Sequence, residues 1–375
     1  MFSRMKLERL NIKKEILIWA VERNGQSVEE YALKNPSFNK WIDGERQPTI
    51  KQLESFAAQV HVPFGYLFLN ELPQESIPIP FFRTVDRHPR FNLKLYDTII
   101  DLQRKQEWLS SYIRDNEIST VGYIGSCVGK SVEETVLTVR RLLDKAPDWA
   151  MHVADSAAVV RTMIDWLEEA GCVVSVQGYV GSYNRRQLAV ADCRGFALID
   201  TYAPFIYVNN NDTKEAQYFT LIHEFAHLLI DFSSGYGNGS DNDDQREDFC
   251  DKVAALFLVD GELLHQKWNG NIDALARTFR VSKIMMVRRA HEEHLISDAE
   301  YRSYMDAYWA RVHEHPARKE SVNNGGDYYA TTRRRLGFNF LAHLSNAVRS
   351  NQLSYNDAYR LTGCPGATFD KLISR

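Results

Sequence analysis

Apolar positions along this 375-residue chain switch between two spacings. Residues 11–70 carry short apolar runs at helical spacing, Ile16-Leu17-Ile18-Trp19-Ala20 and then Leu53, Phe56, Ala57 and Val60, which predicts a set of short helices. Ser27 with Glu30 reads as a capping box, and Thr49 after Pro48 opens another helix. Pro73, Pro78, Pro80 and Pro89 predict an extended linker. Helical spacing returns over residues 93–115 (Leu95, Ile99, Leu102, Trp108, Leu109, Ile113) and over 132–143, with Ser131 as the start. From Ser156 a helix containing Val159, Met163 and Leu167 precedes three strand-like runs, 172–176, 195–199 and 204–208. Asp212 with Glu215 is then expected to cap a long apolar helix from Thr213 to about Ile230.

This order predicts an α+β protein, mainly helical, in which a small domain of short sheet plus apolar helix is flanked by helical modules. The expected divisions are 1–72 (short helices), 73–90 (linker), 91–155 (helical connection), 156–311 (the mixed domain, with a small helix-turn-helix at 272–297), 312–334 (polar linker) and 335–375 (C-terminal helical module). Composition narrows the class. Hydrophobic residues make up 44%, and 45 basic against 49 acidic residues give a net charge of −4, which excludes a mainly disordered chain or one that coats nucleic acid throughout. No apolar stretch is long enough for a membrane span, and five scattered cysteines offer neither a zinc ribbon nor a disulfide framework, so a cytoplasmic protein is expected.

Two motifs invite a functional reading and lose it on spacing or charge. Gly129-Lys130-Ser131 looks like the end of a phosphate-binding loop, but the glycine required five residues earlier is Ile124. The segment 27–68, notably Trp41-Ile42-Asp43-Gly44-Glu45-Arg46-Gln47-Pro48, resembles the helix-turn-helix of lambda-repressor and Cro-like regulators. It lacks several residues between Ser27 and Trp41 that would form most of the helix entering the major groove. Residues 1–80 hold ten basic and ten acidic side chains, a poor footprint for phosphates, so DNA stands as a doubtful partner beside a protein-docking role.

His223-Glu224-Phe225-Ala226-His227 sits inside the long apolar helix. Histidines four residues apart lie one above the other, so their imidazoles can converge on one ion while Glu224 reaches a water beside it. Zinc needs a further protein ligand, and the returning segment 245–258 offers Glu247, with Asp248 and Glu262 as alternatives. Asp251, one turn beyond Glu247, is expected to hold a ring N–H of His223 or His227. Cys250 is read as core, on a different side of the helix. Tyr236, His265, Arg288 and Arg289 are candidate oxyanion donors, and His313 with His315 is a weak metal candidate.

The segments RGFALID (194–200), APFIYVNNNDTKEAQYFTLIHEFAHLLI (203–230), EDFCDKVAALFL (247–258) and FRVSKIMMVRRAHEEHLIS (279–297) resemble the ImmA/IrrE metallopeptidases, also called the DUF955 family. The resemblance implies a zincin-like fold, Zn2+ held by His223, His227 and Glu247, and Glu224 as general base. It also implies a protein substrate, a repressor or antitoxin-like regulator whose cleavage releases a mobile element or stress response, sometimes beside a toxin-antitoxin pair. The chain departs from that pattern at Cys250-Asp251, where Ala-Asn is common, and at Val259-Asp260, where Met-Pro is common. The competing expectation is a non-proteolytic transcription regulator or antitoxin-like binding protein that keeps the zincin fold as a scaffold.

Overall fold

The computed structural model describes residues 10, 12–73, 92–182, 185–230, 241–314 and 327–373, with side chains of 241–243 and 311–314 left aside. Its contacts divide the chain into residues 1–77 and 78–375.

In the first unit, α1 (Lys14–Arg23), α2 (Val28–Lys34), α3 (Pro36–Ile42) and α4 (Ile50–Val60) surround a core of Ile16, Leu17, Phe38, Leu53, Phe56 and Val60. Thr49 and Gln52 form a complete capping box on α4. At Ser27 only half of the expected box exists: Ser27 Oγ accepts the Glu30 N–H and donates its own proton to Glu29. Helices α2 and α3 have seven residues each and are separated by Asn35 alone, whereas helix-turn-helix units use turns of about three or four residues.

The second unit opens with α5 (Leu93–Asp115), α6 (Val132–Leu143) and α7 (Ser156–Glu169), then β1 (Val173–Gln177), β2 (Gly195–Leu198) and β3 (Phe205–Asn209). After them come α8 (Lys214–Ile230), α9 (Asp241–Leu258), α10 (Gly261–Lys267), α11 (Ile272–Thr278), α12 (Lys283–Glu292) and α13 (Asp298–Glu314). The chain closes on α14 (Tyr328–Leu336), α15 (Phe338–Arg349), α16 (Tyr355–Thr362) and α17 (Ala367–Ile373). Ser131 with Glu134 makes a capping box on α6. The start of α8 differs from expectation by one residue: Thr213, not Asp212, caps it, its Oγ1 accepting the Ala216 N–H, while Glu215 accepts from Ser156 instead.

The sheet has the order β1-β3-β2, with β1 parallel and β2 antiparallel to β3. Side chains alternate across it. Val174, Val176, Ile206 and Val208 face the core built on α7, α8 and α9. On the opposite face Ser175 Oγ donates to Arg335 O at 2.7 Å, Phe205 meets the Phe340 ring, and Gln106 Nε2 of α5 donates to Leu198 O at 2.8 Å. The sheet is therefore a middle layer. Helices α5, α14 and α15, expected in separate modules, pack within the same unit as the sheet, because the strands' second face is also apolar and must be covered.

One buried carboxylate ties α15 to this layer. Glu168, at the end of α7, accepts N–H groups of Val174 (2.9 Å), Phe338 (3.1 Å) and Asn339 (2.6 Å), filling the role of an N-cap that α15 lacks from its own Gly337. Gly337 lies at φ 84°, where a Cβ would stand 2.5 Å from Val173 Cγ1, so the approach admits only glycine. No described helix is long and apolar enough to cross a membrane. All five cysteines are buried and free. The expected linker at 73–90, Tyr236, and His313 with His315 lie almost entirely outside what is described.

Candidate metal centre

Helix α8 is buried on every side from Gln217 to Leu229. A helix that is mostly apolar and buried all round sits inside its domain, so the three ionisable residues His223, Glu224 and His227 are carried into the interior with it. Helix α9 runs alongside, fixed at its C-terminal end by two arginines. Arg140 Nη2 of α6 donates to Phe257 O at 3.2 Å, and Arg289 Nε of α12 donates to Val259 O at 3.1 Å. Cationic donors at the last carbonyls suit the negative end of the helix.

Between the two helices three donor atoms converge. His223 Nε2 lies 3.1 Å from Glu247 Oε2, His227 Nε2 lies 3.1 Å from Glu247 Oε1, and the two Nε2 atoms are 3.1 Å apart. Among the described residues this is the one group of three or more His, Cys, Asp or Glu with ligand-grade convergence. Ligand atoms on a tetrahedral ion with bonds of roughly 2.0–2.1 Å would be about 3.3 Å apart, close to the spacing here. Two imidazoles and one carboxylate match the donor preference of zinc and leave room for further ligands on the exposed side, where Glu247 is about one-third accessible. Asp248 and Glu262 are exposed and stand outside the group.

Without a cation the charges sort as an acid–base cluster. Burial opposes charge on His227, but Cys250 and Glu247 beside it outweigh burial and raise the ring to about 10. Burial likewise opposes ionisation of Glu247, and hydrogen bonds from His223 and His227 hold it well below the usual carboxylate range. Glu247 is thus an anion ready for a cation.

The surrounding contacts orient these side chains. Asp251 Oδ1 lies 2.9 Å from His223 Nδ1, so its carboxylate pairs with the second ring nitrogen of that histidine. Cys250 is buried in the core as expected, but it lies beside His227 rather than on a different side of the helix. Residues three and four apart share a helix face, so Glu247, Cys250 and Asp251 all look toward α8. Glu224 packs against the sheet where Gly195 opens β2. A Cβ on Gly195 would lie 2.3 Å from Thr220 Cγ2, 2.8 Å from Tyr207 O and 3.3 Å from Glu224 Oε1. Gly195 was not singled out from sequence, although a glycine beginning a strand is itself a signal of close backbone approach. Of the oxyanion candidates, Arg289 is buried and occupied by Val259 O, Glu292 and Glu293, His265 pairs with Glu293 at 3.3 Å, and Arg288 is exposed.

No curated protein matches the chain. Residues 336–375, the helices α15 to α17, match a domain of unknown function, DUF8813. Residues 183–291 match the Peptidase M78 model, described as the IrrE N-terminal-like domain, a match that takes in β2, β3 and α8 to α12 but begins after α7 and β1. The segment that carries His223, Glu224, His227 and Glu247 is therefore similar to an IrrE-type, metallopeptidase-like domain, which supports the resemblance of this chain to the ImmA/IrrE family.

Proposed function

We propose that this protein is a cytoplasmic zinc-dependent endopeptidase that cuts a specific regulatory protein of the repressor or antitoxin-like kind. The observation that carries the reading is the mutual 3.1 Å approach of His223 Nε2, His227 Nε2 and the Glu247 carboxylate, with Glu224 buried on the same helix. His223, His227 and Glu247 would hold the ion, and Asp251 would fix the ring of His223. A zinc ion bound there supplies Lewis acidity toward a peptide carbonyl and makes water acidic enough to lose a proton near neutral pH. Glu224 takes that proton on its carboxylate, so that the water oxygen can add to the carbonyl carbon. It returns the proton to the amide nitrogen as the C–N bond breaks, leaving a carboxylic acid and an amine, between which the second proton of the water then passes to give carboxylate and ammonium. The apolar flanks of α8, Leu221-Ile222 and Leu228-Leu229, hold these groups in a dry environment that strengthens each contact.

The test is co-expression with the regulator encoded beside the gene, read as cleavage by mass spectrometry together with zinc content. Glu224→Gln is expected to keep zinc and to lose cleavage by about 10²–10⁴-fold. Cleavage at the wild-type rate by that variant removes Glu224 from its role, and zinc-bound protein that never cuts leaves the scaffold reading in its place.

A further inference from the structure

In the first unit one residue alone separates α2 from α3; the turn missing there is present at the other end of the chain. Helix α16 ends at Thr362, α17 begins at Ala367, and Gly363-Cys364-Pro365-Gly366 joins them. Turns of about three or four residues that include glycine are the joint of helix-turn-helix units. This joint is fixed from several sides. Gly363 takes φ 67°, and its N–H closes α16 on Tyr359 O at 2.8 Å, the left-handed ending that favours glycine. Arg335, buried on α14, donates to Thr362 O at 2.9 Å. Phe369 of α17 is buried with its ring edge-on to Tyr359 of α16 at 5.4 Å, and Leu372 is buried one turn further on. Helix α15 holds the far end of α17, where Arg349 Nη2 donates to Ile373 O at 3.1 Å. Ala367, Asp370 and Lys371 stay exposed.

We propose that α17 is a DNA-reading helix, its outer face of Ala367, Thr368, Asp370 and Lys371 entering the major groove of a duplex. Charge and side-chain chemistry favour DNA over a protein partner. Residues 327–375 carry seven Lys and Arg against three Asp and Glu, although acidic residues outnumber basic ones by 49 to 45 in the whole chain. Arg333 Nη2 donates to Lys371 O at 3.1 Å and Arg349 to Ile373 O, so two guanidinium groups are held alongside α17, where phosphates flank a helix lying in a groove. A helix that docks on a protein presents large apolar anchors three or four residues apart. On α17 those residues, Phe369 and Leu372, are turned inward, and its outer face bears small or polar side chains that can come close to base edges. Thr368 can bond any base, Lys371 suits guanine, and Asp370 accepts from the amino group of cytosine. Contact of this kind needs neither the metal centre nor cleavage of a peptide.

The experiment uses the full chain and duplex DNA of random sequence. Repeated selection by gel retardation is expected to enrich one sequence family, bound with an affinity that falls steeply with salt. On the selected duplex, read by fluorescence anisotropy, Lys371→Glu is expected to bind about tenfold more weakly or worse. Ala367→Asp puts a favourable residue at a helix start and a negative charge on the same face, so it should also bind weakly and keeps the test decisive if the lysine variant misfolds. Lys34→Glu, a charge reversal in the first unit, should bind as wild type does. Failure to enrich any sequence at low salt overturns the proposal, and so does full affinity in both α17 variants. Binding to poly-glutamate as tight as to the selected duplex overturns it as well, and makes α17 part of a surface for acidic proteins.

Discussion

Glu247 and Glu168 are carboxylates of the same unit, the first partly and the second almost wholly buried, and they end in opposite states. Glu247 is driven well below the ordinary range, whereas Glu168 is pushed up to about 7. Burial penalises the charged form of each. What differs is the donor. Glu247 faces two imidazoles that can carry positive charge, whereas the donors to Glu168 are the backbone N–H groups of Val174, Phe338 and Asn339, with the Asp165 carboxylate adding repulsion. Three neutral dipoles do not offset the loss of water; two rings able to carry charge do. One carboxylate is placed where it could take a cation, and the other fastens a helix.

The sharpest way to break this contrast is to remove each group and ask what fails. Glu247→Gln is expected to lower zinc affinity by more than the roughly 100-fold that an outer contact costs, with urea unfolding of the metal-free chain far less affected. Glu168→Ala should do the reverse. It strands three N–H groups that each cost about 1–3 kcal/mol when buried without an acceptor, so a loss of about 3 kcal/mol or more is expected in urea titration, with zinc affinity within about threefold of wild type. If both variants lose zinc equally, the two carboxylates are not separate devices.

A subtler effect lies in pH. Because the folded-state pKa of Glu168 is raised, the native chain binds this proton more tightly than the unfolded one, so its contribution to stability falls as pH rises from about 4.5 to about 7 and is flat above that. Compared with Glu168→Gln, wild-type protein should lose up to about 3 kcal/mol across that window, measured as the difference between the two urea series. A difference of the opposite sign would mean that the backbone donors outweigh burial after all. The smallest effect belongs to a carboxylate in water. Asp357 stands 3.5 Å from Arg360 with both side chains more than half exposed, and Arg360→Ala should change stability by less than about 0.5 kcal/mol.

The metal-site helix was legible because its information is local. The i, i+4 histidines, the apolar flanks and the three strand runs are each written within a few residues, and the strands appear within one residue of where the pattern puts them. The start of α8 moved from Asp212 to Thr213 because adjacent Asp and Thr are equally good caps, and only the Ala216 N–H decides between them. Cys250 was misplaced through too coarse a view of the helix: three residues from Glu247 is nearly one turn, not a change of side. Glu168 and the packing of α14 and α15 could not be seen at all. Glu168-Glu169 reads as the solvated end of an amphipathic helix, and nothing in Tyr328–Leu336 announces that it will pack on a strand. The bonds concerned join residues 160–171 apart in the chain.

Strand β3 is buried along its whole length and stands between β1 and β2, with Ile206 and Val208 turned to the helices that carry the candidate metal centre and Phe205 turned to Phe340. It is thus a party wall: neither layer can swell or come away without stripping the other's cover. Deuterium should enter the amides of α8 and α15 through the same rare opening event, and a wound to the outer helices should be felt at the ion as a shortened residence time.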